Sequence, residues 1–412
     1  MSILLGNAVV GQSGGPTSAI NATLSGVIRG CINAKEQGVI TKLYGMRNGI
    51  EGFMREDMID IFDAISDDEL TLLEHTPAAA LGSCRYKLKP YDTDLGVYER
   101  LFELFKKYNI RYFFYIGGND SMDTVAKLSA YASTQDYEMR FIGVPKTIDN
   151  DLICTDHTPG FGSAAKYVAT TVKEILRDVN VYNMKAVTIV EIMGRDAGWL
   201  TTAAALPKLS GGLAPDLIYL PERTLDLDKF IGDLKSALER HPAVLVCVSE
   251  GVKLPSGDYV GAGIGSSATD AFGHVQLSGA GKALEGYVKE KLGCKVRSIE
   301  LNLPQRCASQ IASLTDITES VEVGMNAVRL ATEGNSGVMV SIQRSEDEYS
   351  VDYQPRDVST IANRIKGVPD EYINEEGNGI TDECLEYLLP LIKGECNIEY
   401  ENGMPKHFTF SK

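Results

Sequence analysis

Five short apolar runs in this sequence each end in a cluster of glycines and polar residues, and that repeated pairing leaves few folds open. Ala8 to Val10 leads into GQSGGPTS, Tyr112 to Ile116 into GGNDS, Phe141 to Val144 into PKTIDND, Val187 to Ile192 into MGRDAG, and Val244 to Val248 into SEG. Runs this short and apolar read as buried strands. Between them Ile20, Leu24, Val27 and Ile28, and later Met122, Val125 and Leu128, recur at helical spacing, so helices follow the first two runs closely. Strand and helix in alternation predict α/β architecture with parallel sheets covered by helices. In open sheets of that kind ligands bind beyond the carboxyl ends of the strands, so the five clusters are expected to share one cleft.

With 412 residues the chain is long enough for two lobes. The stretch CTDHTPGFG, near residues 155–162, breaks the pattern with Pro and Gly and marks the boundary. The expected plan is two doubly wound, mostly parallel lobes with the active cleft between them. Residues 1–158 form the first lobe, 159–304 the second, and 305–350 pack back on the first. From SEDEYS onward the chain turns acidic and polar, so 351–412 is expected to be a peripheral extension.

Acidic residues number 56 against 40 basic ones, a net charge of -16 that disfavours nucleic acid and anionic membrane as partners. An anionic substrate would therefore need locally placed cations. The eight cysteines have no C-x-x-C pair or regular spacing, which points to reduced thiols rather than a zinc site or disulfide framework. No apolar run approaches a membrane span and the N-terminus lacks a basic flank, so a cytoplasmic protein is expected.

Taken alone, most clusters have a plain reading beside a chemical one. Gly11 to Gly15 is either a tight strand-to-helix turn or a loop whose N–H groups and helix dipole face a phosphate. In Gly117 to Ser121, Asp120 and Ser121 could simply cap the following helix. Asx turns could explain part of Pro145 to Asp151. They do not explain why Lys146, Thr147, Asp149 and Asp151 gather at one strand end, which is the equipment for moving a phosphoryl group to an alcohol. Arg195, Glu250, Arg297 and Arg306 are unspecific singly, Met193 reads as core, and His157 reads as structural or solvated.

Together, SGGPTSAINA, LGSCRY, GGNDS, PKTIDND, VEIMGRDAG, SEG and PQR resemble the phosphofructokinase family in order and spacing, over about residues 7–340. The resemblance implies that Asp149 is the base for the 1-hydroxyl of fructose 6-phosphate. Thr147, Ile148, Met193, Gly194, Arg195 and Glu250 would surround the sugar, and Arg297 and Arg306 would hold its 6-phosphate, with such arginines often lent by a neighbouring subunit. A homodimer or homotetramer is implied. Gly14, Gly15, Arg85, Asp120, Ser121 and Lys146 would bind the donor, making residues 1–158 the donor lobe and 159–304 the sugar-phosphate lobe. Mg²⁺ is the expected metal, on Asn119, Asp120 and Asp151.

Two positions choose the donor. The ATP branch resembles GGDGS and PGTIDND, whereas this chain has Asp120 and Lys146, like the pyrophosphate branch. A carboxylate about 4 Å from a donor phosphate, at an effective dielectric near 20, repels it by roughly 4 kcal/mol, or about three decades of binding. A lysine there favours the charge-rich transition state. The expected activity is reversible phosphoryl transfer from pyrophosphate to fructose 6-phosphate. An ATP-dependent enzyme and a non-catalytic sugar-phosphate-binding subunit are the alternatives. Asn119 departs from the usual aspartate beside the metal, Leu303 from the usual His or Tyr against the sugar phosphate, and Ser25 from an effector-binding arginine, although Arg29 is kept. Weak or absent nucleotide regulation follows.

Overall fold

The computed structural model describes residues 4–181, 183–262, 279–345 and 348–410. The strands of its two main sheets are β1 Gly6–Gln12, β2 Ile40–Met46, β3 Met58–Asp60, β4 Ile110–Gly117, β5 Arg140–Pro145, β6 Ala186–Ile192, β7 Leu217–Tyr219, β8 Ala243–Ser249, β9 Lys295–Glu300, β10 Val338–Arg344 and β11 Val351–Asp357. The first sheet has the order β11-β10-β5-β4-β1-β2-β3, parallel except at its two edges. The second is wholly parallel, in the order β7-β8-β6-β9. The five apolar runs are thus β1, β4, β5, β6 and β8, one or two residues longer at their ends than their apolar cores.

Side-chain alternation explains why these strands read as unbroken apolar runs. On the first sheet Ala8, Val10, Phe114 and Ile116 enter one core, while Val9, Phe113, Tyr115 and Phe141 enter the other. Helices α1 (Ile20–Glu36) and α4 (Leu314–Thr332) pack against each other, and Leu24, Val27, Val323 and Ala327 from them share the first of those cores. Helix α2 (Asn119–Ala132) starts directly after β4, and α3 (Phe161–Val179) carries the chain from the first lobe into the second. No helix among the described residues is long and apolar enough to cross a membrane.

The tail corrects one expectation. Residues 351–410 are not peripheral: β11 completes the first sheet, and Phe408 and Phe410 are buried in that lobe's core. Cys384, Leu385, Leu388 and Leu391 meanwhile enter the core of the second lobe. The acidic residues that gave the segment its polar look face solvent, while its scattered apolar residues bind both lobes.

Candidate active site

The carboxyl ends of the strands converge on one open cavity of about 430 Å³. Its lining includes Gly15, Arg85, Asp120, Thr147, Ile148, Asp149 and Asp151 from the first lobe, and Met193, Arg195, Glu250 and Arg306 from residues expected in the second or at its end. Residues as far apart in sequence as Gly15 and Arg306 meet here because both sheets point their strand ends at the same space.

After β1 the chain turns through Gly14 at φ +75°, a conformation that glycine adopts without steric penalty. The turn is fixed by the segment that contains Arg85: Gly14 N–H donates to the Cys84 carbonyl at 3.1 Å, and the Ser83 hydroxyl donates to the Gly14 carbonyl at 2.6 Å. Lys146 lies beneath this loop, 2% exposed, with its ammonium donating to the Gly15 carbonyl at 2.6 Å. Burial, with repulsion from Arg306 and Arg85, outweighs attraction to Asp149 and lowers its pKa to about 8. So Lys146 acts on the cavity from behind the loop rather than as part of its wall.

The loop after β5 is held from several sides. Asp149 N–H donates to Thr147 Oγ1 at 3.1 Å, and the Thr158 hydroxyl donates to the Thr147 carbonyl at 2.8 Å. Asn150, buried at φ +52°, turns the chain so that Asp149 and Asp151 both reach the cavity. Its amide donates to the Tyr387 hydroxyl at 3.1 Å and accepts from Lys366 Nζ at 3.3 Å. Burial raises the pKa of Asp149, only partly countered by Arg195 and Lys146. Burial and the neighbouring Asp149 push Asp151 up to about 7.

The opposite wall starts at the end of β6. Glu250 Oε1 accepts from Gly194 N–H at 3.3 Å, and burial pushes this carboxyl up to about 7. Arg195 lines the cavity with its buried Nε lacking a hydrogen-bond partner. A guanidinium on a cavity wall, which carries further N–H donors besides Nε, is well suited to an anionic ligand. Arg306 leans on the first-lobe loop, its Nη1 3.0 Å from where a Gly15 Cβ would stand, and burial plus the nearby Arg85 lower its pKa. Three arginines around one cavity, in a chain of net charge -16, place guanidinium cations where an anionic substrate can meet them, beside Asp120, Asp149, Asp151, Asp196 and Glu250.

Some residues singled out in the sequence stand elsewhere. Ser121 is buried, and its hydroxyl donates to Ser13 at 3.0 Å. It therefore ties the two glycine loops together and is withdrawn from the donor ligands. Asn119 does line the cavity, but its carbonyl oxygen accepts from Asn363 N–H at 2.5 Å and its amide donates to the Arg364 carbonyl at 2.6 Å. With both side-chain atoms spent on a backbone, Asn119 is withdrawn from the metal ligands. Arg297 sits on β9, lining a separate cavity of about 200 Å³ with Lys295 and Thr188, outside the cleft of its own chain. Gly14 and Gly194 hold neighbouring wall residues without lining the cavity themselves. His157 is buried between Asp156 at 2.7 Å and Glu319 at 2.5 Å, a structural role.

Sequence reasoning missed Asn363, Ile365 and Lys366. The first two line the cavity, and the third donates to Asn150, Thr155 and Asp156 behind it. They come from the tail, more than 200 positions from the loops they touch, and carry no motif that local reading could find.

A pyrophosphate--fructose 6-phosphate 1-phosphotransferase of Halomonas elongata is 42% identical over 98% of this chain and 96% of its own. A protein of the same name from Xanthomonas campestris pv. campestris is 42% identical over the same shares. The crystal structure of a pyrophosphate-dependent phosphofructokinase from Nitrosospira multiformis matches with a TM-score of 0.88 at 39% identity, covering 98% of this chain and 96% of that one. The family model described as phosphofructokinase matches residues 7–331, and the chain belongs to that family.

Proposed function

We propose that this chain reversibly transfers a phosphoryl group from pyrophosphate to the 1-hydroxyl of fructose 6-phosphate, giving fructose 1,6-bisphosphate and phosphate. The observation that carries the reading is one cavity in which Asp149 and Asp151 face Arg85, Arg195 and Arg306. Phosphoryl transfer needs little covalent help from a protein. It needs the donor and alcohol aligned, the equatorial oxygens neutralised and the alcohol proton accepted. In this reading Asp149 takes the proton, with Thr147 holding its backbone N–H. Arg195, on the cavity wall, neutralises charge on the transferring group. Lys146 adds positive potential from beneath the Gly15 loop. Ile148, Met193, Gly194 and Glu250 shape the sugar side.

Arg306, placed beside both Gly15 and Arg85, can serve a donor phosphate as well as the sugar phosphate. Arg297 lies outside the cleft of its own chain, which supports an assembly of identical chains in which it completes a neighbour's site. Asp120 and Asp151 offer the hard oxygen ligands that Mg²⁺ favours, and both line the cavity. Mg²⁺ bound there supplies charge neutralisation on the phosphates. A chain acting on these free anionic metabolites works in the cytoplasm.

Asp120 supports pyrophosphate as donor, because a third phosphate or a nucleoside continuing past it meets a like charge. The test is formation of fructose 1,6-bisphosphate from fructose 6-phosphate and pyrophosphate with Mg²⁺. Asp149→Asn should lower kcat by about 10²–10⁴-fold, the usual worth of a general base. A variant that keeps its full kcat would remove Asp149 from that role.

A further inference from the structure

A strap of the tail, residues 361–368, crosses the mouth of the cavity from one lobe to the other, and it is anchored in turn by each side. On the first lobe Asn119 accepts from Asn363 N–H and donates to the Arg364 carbonyl, while Asn363 Nδ2 donates to Asp123 Oδ1 at 3.1 Å. At the centre Lys366 N–H donates to the Asp151 carbonyl at 2.8 Å. On the second lobe Trp199 Nε1 donates to the Lys366 carbonyl at 2.9 Å, and Glu222 Oε1 accepts from Val368 N–H at 2.8 Å. Between these anchors Asn363 and Ile365 line the cavity alongside Asn119 and Asp120. Ile365 remains 51% exposed, an apolar side chain held at the rim of a highly charged site.

We propose that this strap is a wall that sets the length of the phosphate donor, and that Asn119 is the latch holding it shut. The proposal rests on the donor reading above and extends it to a second device, separate from the charge of Asp120. It also accounts for the departure at position 119. The latch needs one acceptor for an N–H and one donor for a carbonyl, which a carboxamide provides and a carboxylate does not. An aspartate would set an anionic oxygen against the Arg364 carbonyl at the 2.6 Å now spanned by a hydrogen bond. A chain that uses this position to close the donor end therefore requires asparagine there. A donor longer than pyrophosphate would continue past Asp120 into Asn363 and Ile365 and would have to lift the strap.

The test uses the full chain with Mg²⁺ and compares pyrophosphate, inorganic tripolyphosphate and ATP as donors, with amide hydrogen exchange read across 361–368. Asn119→Asp and Asn119→Ala should each speed exchange at 362–366 by about tenfold or more, as expected when two anchoring hydrogen bonds are lost. Both should also raise the ratio of kcat/KM for tripolyphosphate to that for pyrophosphate by at least about tenfold, the equivalent of removing a barrier of about 1.4 kcal/mol. Ile365→Gly, which leaves the latch intact, should raise the donor ratio without altering exchange at Asn363. Unchanged exchange in both Asn119 variants would overturn the latch. Faster exchange with an unchanged donor ratio would overturn the wall. A preference of the intact chain for ATP would defeat the donor reading and the wall together, and the exchange result would still stand as a measure of the latch.

Discussion

Replacing Lys366 by methionine separates the ammonium from the side chain's bulk, and the structure gives the expected loss. Lys366 Nζ donates to the Asp156 carbonyl at 2.6 Å, the Thr155 carbonyl at 3.1 Å and Asn150 Oδ1 at 3.3 Å, all behind the catalytic loop. Methionine leaves the Thr155 carbonyl and Asn150 Oδ1 without a donor, at roughly 1–3 kcal/mol each, or about 2–6 kcal/mol together, while the Asp156 carbonyl keeps the Tyr387 hydroxyl at 2.8 Å. Relief follows from no longer burying a cation, a strain visible in the Lys366 pKa, which burial lowers to about 8. Offsetting roughly half of the gross loss leaves a destabilisation of about 1–3 kcal/mol. The same change frees Asn150, whose turn sets the positions of Asp149 and Asp151, so kcat should fall by about 10²-fold, as a 1 Å misplacement of catalytic groups does. Urea denaturation gives the first quantity and steady-state assay with pyrophosphate the second. A loss of stability under about 0.5 kcal/mol with unchanged kcat would refute the idea that the tail organises the catalytic loop.

Two further outcomes follow from single contacts. Burial alone would lower the His157 pKa, but its hydrogen bonds to Asp156 and Glu319 outweigh that and raise it above 6.5, so its stabilising contribution is complete below pH 6.5 and fades as pH rises through the folded value. His157→Asn should flatten that part of the stability-against-pH curve, measured by thermal unfolding between about pH 5 and 9; an unaltered curve would show that the ring is not protonated in the folded chain. At Gly251 an added Cβ would stand 1.8 Å from the Arg195 carbonyl oxygen, a backbone atom that has to move. Gly251→Ala should cost about 1–3 kcal/mol in denaturation and lower kcat by displacing Arg195; wild-type kinetics would count against Arg195 as a working group.

What the sequence revealed was whatever is local. Strand cores such as Phe141 to Val144 are apolar on both faces because helices cover both, and their ends announce themselves through Gly14, Thr147, Asp149 and Arg195 in compact motifs. Long-range placement left no such signal. Asn119 looked like an altered metal ligand because its partners, the backbone atoms of Asn363 and Arg364, lie 244 and 245 positions away. Ser121 looked like a phosphate ligand because its position in GGNDS is right, yet its rotamer turns it onto Ser13. The tail looked peripheral because Phe408, Phe410 and Leu388 show no periodicity, and burial against two lobes needs none.

The most direct test of the account is the donor itself. Phosphorylation of fructose 6-phosphate should be measured with Mg²⁺ for pyrophosphate and for ATP, in the intact chain and in Asp120→Gly. Turnover with pyrophosphate, little or none with ATP, and a gain in ATP use once the carboxylate is removed are expected, the gain reaching up to about three decades if the full like-charge repulsion is released. Efficient use of ATP by the intact chain would contradict this expectation.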